Sequence, residues 1–308
     1  MLIWRQPIRH KAYWWRKVPN FGDAINPLLL RGLSGLSLEW SDAPGDNNLA
    51  CVGSIVSHAK PGWVVWGAGC ISADCPIPTG LTVIAVRGPL TRQRMLHAGY
   101  QVPAVFGDPG LLMPLVKPLE AGQISHEWGI IPHFSDFGHP AMKQFQSSSK
   151  LGRLLGKFRS RKAICINPMG SVRTYLKQFS RCRAIASSSL HGLIMAEAYG
   201  KPSVWIRLED GTGKTCGMNG GEFKFFDFYQ GISKPDVTPL VLKSQLDIDA
   251  LNRVAESWRP MNWDPIPLME SFPEKTSRWD MSSRSAAIYF RKLAMGGSVA
   301  RGALVAAP

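Results

Sequence analysis

The chain has 308 residues, of which 45% are hydrophobic and 19% charged, a composition typical of a globular protein of about two domains. It has no apolar run long enough to span a membrane and no apolar core of a signal peptide at its N-terminus, so a cytoplasmic location is expected. The formal net charge of +14 indicates an anionic partner, and nucleic acid, an anionic membrane surface and an acidic small substrate all fit it.

The first 115 residues alternate short apolar runs with helix-like patterns. Helices are predicted over 24–33 and 89–99. In the second of these, Pro89 suits the first helical turn and Gly99 a C-terminal cap. Apolar runs that enter glycine-rich or polar turns predict four strands, over 50–56, 63–69, 81–88 and 103–108. Apolar strands in alternation with helices favour a parallel α/β sheet.

Residues 116–127 interrupt this alternation with proline, glycine and charged residues and are the predicted linker. Beyond it, strands are predicted over 128–134, 162–168, 184–189 and 202–208. Helices are predicted over 139–158, 171–182, 190–199 and 242–258. The pattern predicts two Rossmann-like domains, 1–120 and 121–260, and a partly disordered C-terminal extension, 261–308. Ligands of such sheets bind at the carboxyl ends of the strands.

The six cysteines form no Cys-x-x-Cys pair, and no histidine cluster accompanies them. In a cytosolic chain they are expected to be reduced and structural, and no metal site is expected.

Polar residues around Asp23 precede the first predicted helix. Aspartate is a favoured N-cap residue, so a cap with a tight turn at Gly22 is one interpretation of this stretch. In the other, the amides of the loop from Asn20 and the Asp23 carboxylate face a ligand. The sequence leaves both open.

Arg87 directly follows an apolar strand and precedes a helix N-terminus. A guanidinium at this point can bind a phosphate or carboxylate through two parallel hydrogen bonds. The alternative is an interior ion pair, with Asp108 as the expected partner.

His133 and His191 end two predicted strands of the second half. Either histidine alone is more often structural than catalytic. Two of them at equivalent strand ends, facing one cleft, favour function, because imidazole exchanges protons near neutral pH and adds charge beside a phosphate.

Two basic stretches bear on the partner. Residues 150–162 have an amphipathic basic spacing that suits an anionic lipid surface, or equally the solvated face of a helix over a core. Residues 12–17, AYWWRK, add tryptophans beside cations. Nucleic acid is not expected, because no zinc finger, RNA-binding aromatic motif or long basic tail is present.

Seven motifs occur in one order over residues 18–232: NFGDAINPLL, WGAG, VRGPLTR, GDPGLL, IIPHF, SSSLHGLIMAEAYGKPSVW and FKFFDFYQG. In this set the chain resembles the polysaccharide pyruvyl transferase family, and most closely the members that decorate bacterial exopolysaccharides. The resemblance implies an α/β fold like that of the two-domain GT-B glycosyltransferases. It also implies transfer of the pyruvyl group of phosphoenolpyruvate to two hydroxyls of a sugar, giving a ketal and phosphate, without a cofactor.

The resemblance implies catalytic roles for three residues: Asp23, Arg87 and His191. Substrate binding is expected of four of their neighbours: Asn20, Gly22, His133 and Ser189. Some members have Arg-Leu-His-Gly where this chain has Ser-Leu-His-Gly, so a guanidinium is replaced by the Ser189 hydroxyl. The missing charge is expected from one of three cations: Arg173, Arg207 or Lys224.

In the implied chemistry, His191 protonates the methylene carbon, Asp23 or His133 deprotonates the acceptor hydroxyl, and Arg87 eases phosphate departure. A sugar or lipid-linked oligosaccharide is the expected acceptor, which would bring the protein to the inner face of the plasma membrane. Two alternatives remain open: a nucleotide-sugar glycosyltransferase of the same architecture, and a non-catalytic binder of nucleic acid or membrane surfaces.

Overall fold

The computed structural model describes residues 9–45, 48–120, 122–146, 162–209, 221–273 and 276–295. These residues form an α/β fold with two five-stranded sheets in which every strand pair is parallel. Residues 150–161 of the basic stretch, and the last residues of the predicted extension, from 296 onward, lie outside the described residues.

The first sheet is built from residues before the predicted linker. Its strands are β1 (Arg9–Tyr13), β2 (Ser37–Trp40), β3 (Asn48–Ala50), β4 (Trp63–Trp66) and β5 (Thr82–Ala85). The strand predicted over 103–108 is reduced to one bridge between Val86 and Phe106. The run predicted as a strand over 50–56 leaves the sheet after Ala50, and a 3₁₀ turn at Val56–His58 follows.

The second sheet is built from residues after the linker. Its strands are β6 (His126–Ile131), β7 (Ala163–Cys165), β8 (Cys182–Ser187), β9 (Ser203–Leu208) and β10 (Leu240–Leu242). The spatial orders are β2-β1-β3-β4-β5 and β10-β9-β8-β6-β7. Counted within each sheet, both orders are 2-1-3-4-5, as in flavodoxin-like doubly wound folds.

Helices connect the strands. They are α1 (Phe21–Ser34), α2 (Pro89–His97), α3 (Met113–Val116), α4 (Pro140–Gln146), α5 (Val172–Ser180), α6 (Leu190–Ala198), α7 (Phe223–Gly231), α8 (Ile248–Glu256), α9 (Ile266–Glu270) and α10 (Ser277–Ala294). Helix α1 begins at the Asn20 cap and ends at Gly35, whose φ of 72° is the left-handed conformation that glycine favours. In the described part of the chain, none of the helices is long and apolar enough to cross a bilayer.

The C-terminal helices pack back on the first half of the chain. Helix α10 contacts α1, and α7 contacts α2. The indole of Trp66, in β4, donates to the carbonyl oxygen of Leu268 at 2.9 Å, and the Phe272 and Trp279 rings stack with centroids 3.9 Å apart. One buried apolar cluster accordingly contains residues of both halves and of this C-terminal segment.

The two sheets place their switch points at defined loops. In a 2-1-3-4-5 sheet the connections diverge between the first and third strands, and a crevice opens at their carboxyl ends. Those strands are β1 and β3 in the first sheet and β6 and β8 in the second. The loops that follow these four strands are therefore the ones to examine for a site.

Candidate functional site

A cavity of about 290 Å³ lies between the two sheets. All four switch-point loops contribute to its wall: Trp15 after β1, Gly53 and Ser54 after β3, His133 after β6, and Ser189 after β8. The N-terminal turns of α1 and α6 complete much of the remainder. The main-chain N–H of Phe21, at the start of α1, donates to the carbonyl oxygen of Pro168 at 2.7 Å and joins the two halves at the cavity.

The start of α1 holds the Asp23 carboxylate. The Asn20 side chain accepts from the Asp23 main-chain N–H at 3.0 Å and donates to Asp23 Oδ2, while the main-chain N–H of Trp15 donates to Oδ1 at 3.1 Å. Burial nevertheless dominates and raises the pKa of Asp23 to about 6. Asn20 is thus the N-cap residue of α1, and Asp23 is a cavity carboxyl whose pKa lies close to neutral pH.

His191 is the second residue of α6, and its ring packs against the start of α1. A Cβ added at Gly22 would lie 2.1 Å from His191 Nδ1, so the close approach of the ring requires glycine there. Nε2 of His191 is buried and has no hydrogen-bond partner among the described residues. Burial, and then the charges of Arg87 and Lys224, lower the pKa of His191 to about 3, so the ring is neutral at pH 7.

His133 is held at the end of β6 by a short hydrogen-bond chain. Its main-chain N–H donates to Ser188 Oγ at 3.0 Å, and that hydroxyl donates to Asp136 Oδ2. Burial, and then the charge of Lys224, lower the pKa of His133 to about 4. Burial also raises the pKa of Asp136 to about 6. The site therefore presents two neutral imidazoles rather than two cations.

Lys224 brings a cation into the cavity wall from helix α7. Its side chain is buried, and no carboxylate of the described ranges lies within ion-pair distance of its ammonium. Burial, and then the charge of Arg87, lower its pKa to about 8. A buried, unpaired ammonium facing a cavity is suited to an anionic ligand.

Arg87 does not line the cavity. Its guanidinium is fully buried, donates to Asp227 Oδ2 from Nε at 2.9 Å, and donates from Nη1 to Ser54 Oγ at 2.6 Å. The expected interior partner was Asp108, but the ion pair is made with Asp227, which also accepts from Thr91. Ser54 does line the cavity, so Arg87 contacts the cavity wall through the Ser54 hydroxyl without reaching the cavity itself.

The structure thus brings seven of the ten predicted site residues into one cavity wall: Asn20, Gly22, Asp23, His133, Ser189, His191 and Lys224. Arg173 is exposed on α5 and outside the wall. Arg207 is also outside it and pairs with Glu209 and Glu222, both at 2.6 Å. Of the three cations considered in place of the missing arginine, only Lys224 faces the cavity.

The lining residues that were not predicted include Trp15, His58 and Tyr175. The Tyr175 ring stacks on Phe21 with centroids 3.7 Å apart, and its buried hydroxyl has no hydrogen-bond partner in the described residues. Trp15 follows the switch-point strand β1, which the sequence did not reveal as a strand. Recognition of β1 would have indicated Trp15, whereas nothing in the sequence singles out Tyr175.

The described residues contain no group of three or more His, Cys, Asp or Glu side chains arranged to hold a metal ion. The titratable groups that line the cavity are the Lys224 ammonium, the Asp23 carboxyl, the Tyr175 hydroxyl and the imidazoles of His58, His133 and His191.

Comparison with known proteins supports the resemblance to one protein family. Residues 74–210 match the model of the polysaccharide pyruvyl transferase family, which confirms the resemblance over that region. A similar protein is Uncharacterized protein L143 of Acanthamoeba polyphaga mimivirus, 29% identical over 180 residues that make up 58% of this chain and 57% of that protein. The aligned region thus spans little more than half of that relative. No solved structure matches.

Proposed function

From the match of residues 74–210 to the polysaccharide pyruvyl transferases, we propose that the protein transfers the pyruvyl group of phosphoenolpyruvate to two hydroxyls of a sugar. The family supports a transferase with a saccharide substrate. The observation that carries the donor assignment is the cavity at the two switch points, where the buried Lys224 ammonium, with no carboxylate partner among the described residues, lies in one wall with neutral His191 and His133.

The donor anion would be held by groups that have no partner among the described residues. Phosphoenolpyruvate carries a carboxylate and a phosphate, which fixed cations and N–H donors bind well. Lys224 supplies the cation that the arginine supplies in other members, and the first-turn amides of α6 add donors. The buried Nε2–H of His191, in that tautomer, and the hydroxyl of Tyr175 would donate hydrogen bonds to the anion.

Arg87 supports this site from behind. Its hydrogen bond to Ser54 and its ion pair with Asp227 connect the cavity wall to helix α7, which carries Lys224. We assign it as a positioning residue, whose charge also favours the phosphate electrostatically.

The reaction balances without a further reactant. One acceptor oxygen bonds to the central carbon as the methylene carbon takes a proton; the bond to the phosphate oxygen breaks, and the second acceptor oxygen bonds to the same carbon. The two hydroxyl protons are accounted for by the new methyl group and by the hydrogen phosphate that leaves.

The pKa shifts favour a revised assignment of the proton donor and acceptor. Asp23, with a pKa of about 6, holds a proton more readily than His191, with a pKa of about 3. We assign Asp23 as the acid and neutral His191 as the base, the reverse of what the sequence suggested for these two residues. A bound dianion raises both pKa values, which favours the protonated acid and strengthens the base.

We further propose that the two sheets belong to two domains arranged as in the GT-B glycosyltransferases.

A lipid-linked sugar at an anionic membrane surface is the proposed acceptor. The exposed cations Arg16, over the Trp40 ring, and Lys17, over the Trp15 ring of the cavity wall, support this second proposal.

The test is incubation with phosphoenolpyruvate and a panel of methyl glycosides, with mass spectrometry for the ketal and an assay for released phosphate. We expect ketal formation by the wild type and by Arg173→Ala, and its loss in His191→Ala. Sugar transfer from nucleotide sugars, without use of phosphoenolpyruvate, would support the glycosyltransferase alternative instead.

A further inference from the structure

The two walls of the cavity differ in chemistry. The wall from the second half carries Lys224 and the two imidazoles considered above. The wall from the first half is aromatic: the rings of Trp15 and His58 lie 5.0 Å apart at 40°. Ile55 and Ile71 extend this wall with apolar surface. The donor has no evident use for an aromatic wall.

Aromatic residues of the first half pack behind the aromatic wall. Tyr13 lies behind His58, with ring centroids 6.0 Å apart, and contacts the fully buried Trp63 at 5.3 Å. His58 itself is exposed, which puts it at the mouth of the cavity. A firm aromatic surface that opens to solvent is suited to a second, larger substrate.

Trp15 connects this wall to the carboxyl at the centre of the site. Its main-chain N–H holds Asp23 Oδ1 at 3.1 Å, while its indole lines the cavity. A molecule held against the indole therefore lies beside the Asp23 carboxyl. The Lys17 ammonium, 5.2 Å from the centroid of the Trp15 ring, adds a donor near the same surface.

We propose that Trp15, with His58, forms the acceptor-binding wall and holds a pyranoside with a pair of its hydroxyls toward the reaction centre between Asp23 and His191. The C–H face of a pyranose is apolar and flat enough to pack on an indole, and its rim of hydroxyls can bond to His58 and Lys17. The inference rests on the proposed function for the reaction, but it predicts binding of a sugar by the wall itself.

The experiment is saturation-transfer NMR with methyl β-glucopyranoside, methyl β-galactopyranoside and methyl α-mannopyranoside as probes. The wild type is expected to saturate ring C–H protons of at least one probe. Trp15→Leu is expected to lose about tenfold or more in affinity for that probe, with phosphoenolpyruvate affinity, measured by calorimetry, within about twofold of wild type. Because the Asp23 contact uses the main chain, the substitution leaves it in place.

Trp14→Phe is the matched control, since Trp14 packs outside the cavity on the buried apolar cluster that both halves share, and it should bind the probe as the wild type does. If Trp15→Leu does not fold, Trp15→Phe should show an intermediate affinity. Unchanged affinity in the folded Trp15 variant would overturn the inference, as would a wild type that binds phosphoenolpyruvate but none of the glycosides. Trp15-dependent binding without ketal formation would support this wall and contradict the proposed reaction.

Discussion

The His191 ring occupies the space that a side chain at Gly22 would need, so the two halves of the molecule meet at this pair. Gly22→Ala would place a Cβ 2.1 Å from Nδ1 and displace the imidazole from the cavity wall. Although alanine favours a helix, we expect kcat for ketal formation to fall about 100-fold, as small misplacements of catalytic groups do.

Gly138→Ala is the control for that substitution, because no atom lies within 4 Å of the added Cβ and its φ is not positive. It should retain wild-type activity. Full activity in a Gly22→Ala protein with an unchanged circular dichroism spectrum would show that the His191 position does not matter to the reaction.

Lys224 should make donor binding depend on pH. Its lowered pKa of about 8 means that the ammonium is present below pH 8 and is lost above it. Affinity for phosphoenolpyruvate, measured by calorimetry from pH 6.5 to 9.5, should therefore fall as the pH rises through about 8.

Lys224→Met should weaken donor binding by about tenfold or more at pH 7 and remove this pH dependence. The exposed Lys177 gives a control of the same chemistry, and Lys177→Met should titrate like the wild type. A pH profile that is identical in Lys224→Met and wild type would exclude Lys224 from the donor site.

Removal of one partner of the Arg87–Asp227 ion pair should strongly destabilise the fold. Both side chains are fully buried, so Arg87→Met leaves the Asp227 carboxylate without its cation. We expect the free energy of unfolding to fall by about 3 kcal/mol or more, measured by denaturant titration. Arg173→Ala, at an exposed position, should unfold as the wild type does. A wild-type unfolding curve for Arg87→Met would contradict the positioning role.

Tyr175→Phe should separate stability from binding. The hydroxyl is buried without a partner in the described residues, so its removal should leave the free energy of unfolding unchanged or raise it by about 1 kcal/mol. If the hydroxyl serves the donor, affinity for phosphoenolpyruvate should fall about tenfold in the same variant. Loss of stability with unchanged donor affinity would instead indicate a purely structural tyrosine.

The fold was predictable where strands are buried on both faces. The apolar runs of β4, β8 and β9 read clearly as interior strands of a parallel sheet. By contrast, β1, β2 and β10 were missed. β1 mixes three basic residues into five, and β2 and β10 are strands of only four and three residues at sheet edges. The predicted domain limits, 1–120 and 121–260, remain predictions, although each range contains one complete sheet.

The site was predictable where it lies at strand ends and helix starts. Asp23, His133 and His191 follow from that rule, because strand ends of a parallel sheet meet at one edge. What the rule cannot give is which side chains pair across the molecule: Arg87 and Asp227 are 140 residues apart in sequence. The place of Arg87 behind the cavity wall follows from its contact with Asp227, which the three-dimensional structure shows.

The hydrogen bond from Phe21 to Pro168 has a consequence for motion. Any opening of the two halves on that side breaks this bond and exposes the Phe21 main-chain proton, because Phe21 itself is 1% exposed and its N–H has its acceptor in the opposite half. The rate at which that proton exchanges with deuterated solvent would then depend on how fast the halves open and on the population of the open form. Slower exchange when a substrate occupies the cavity would measure closure of the two halves at one atom.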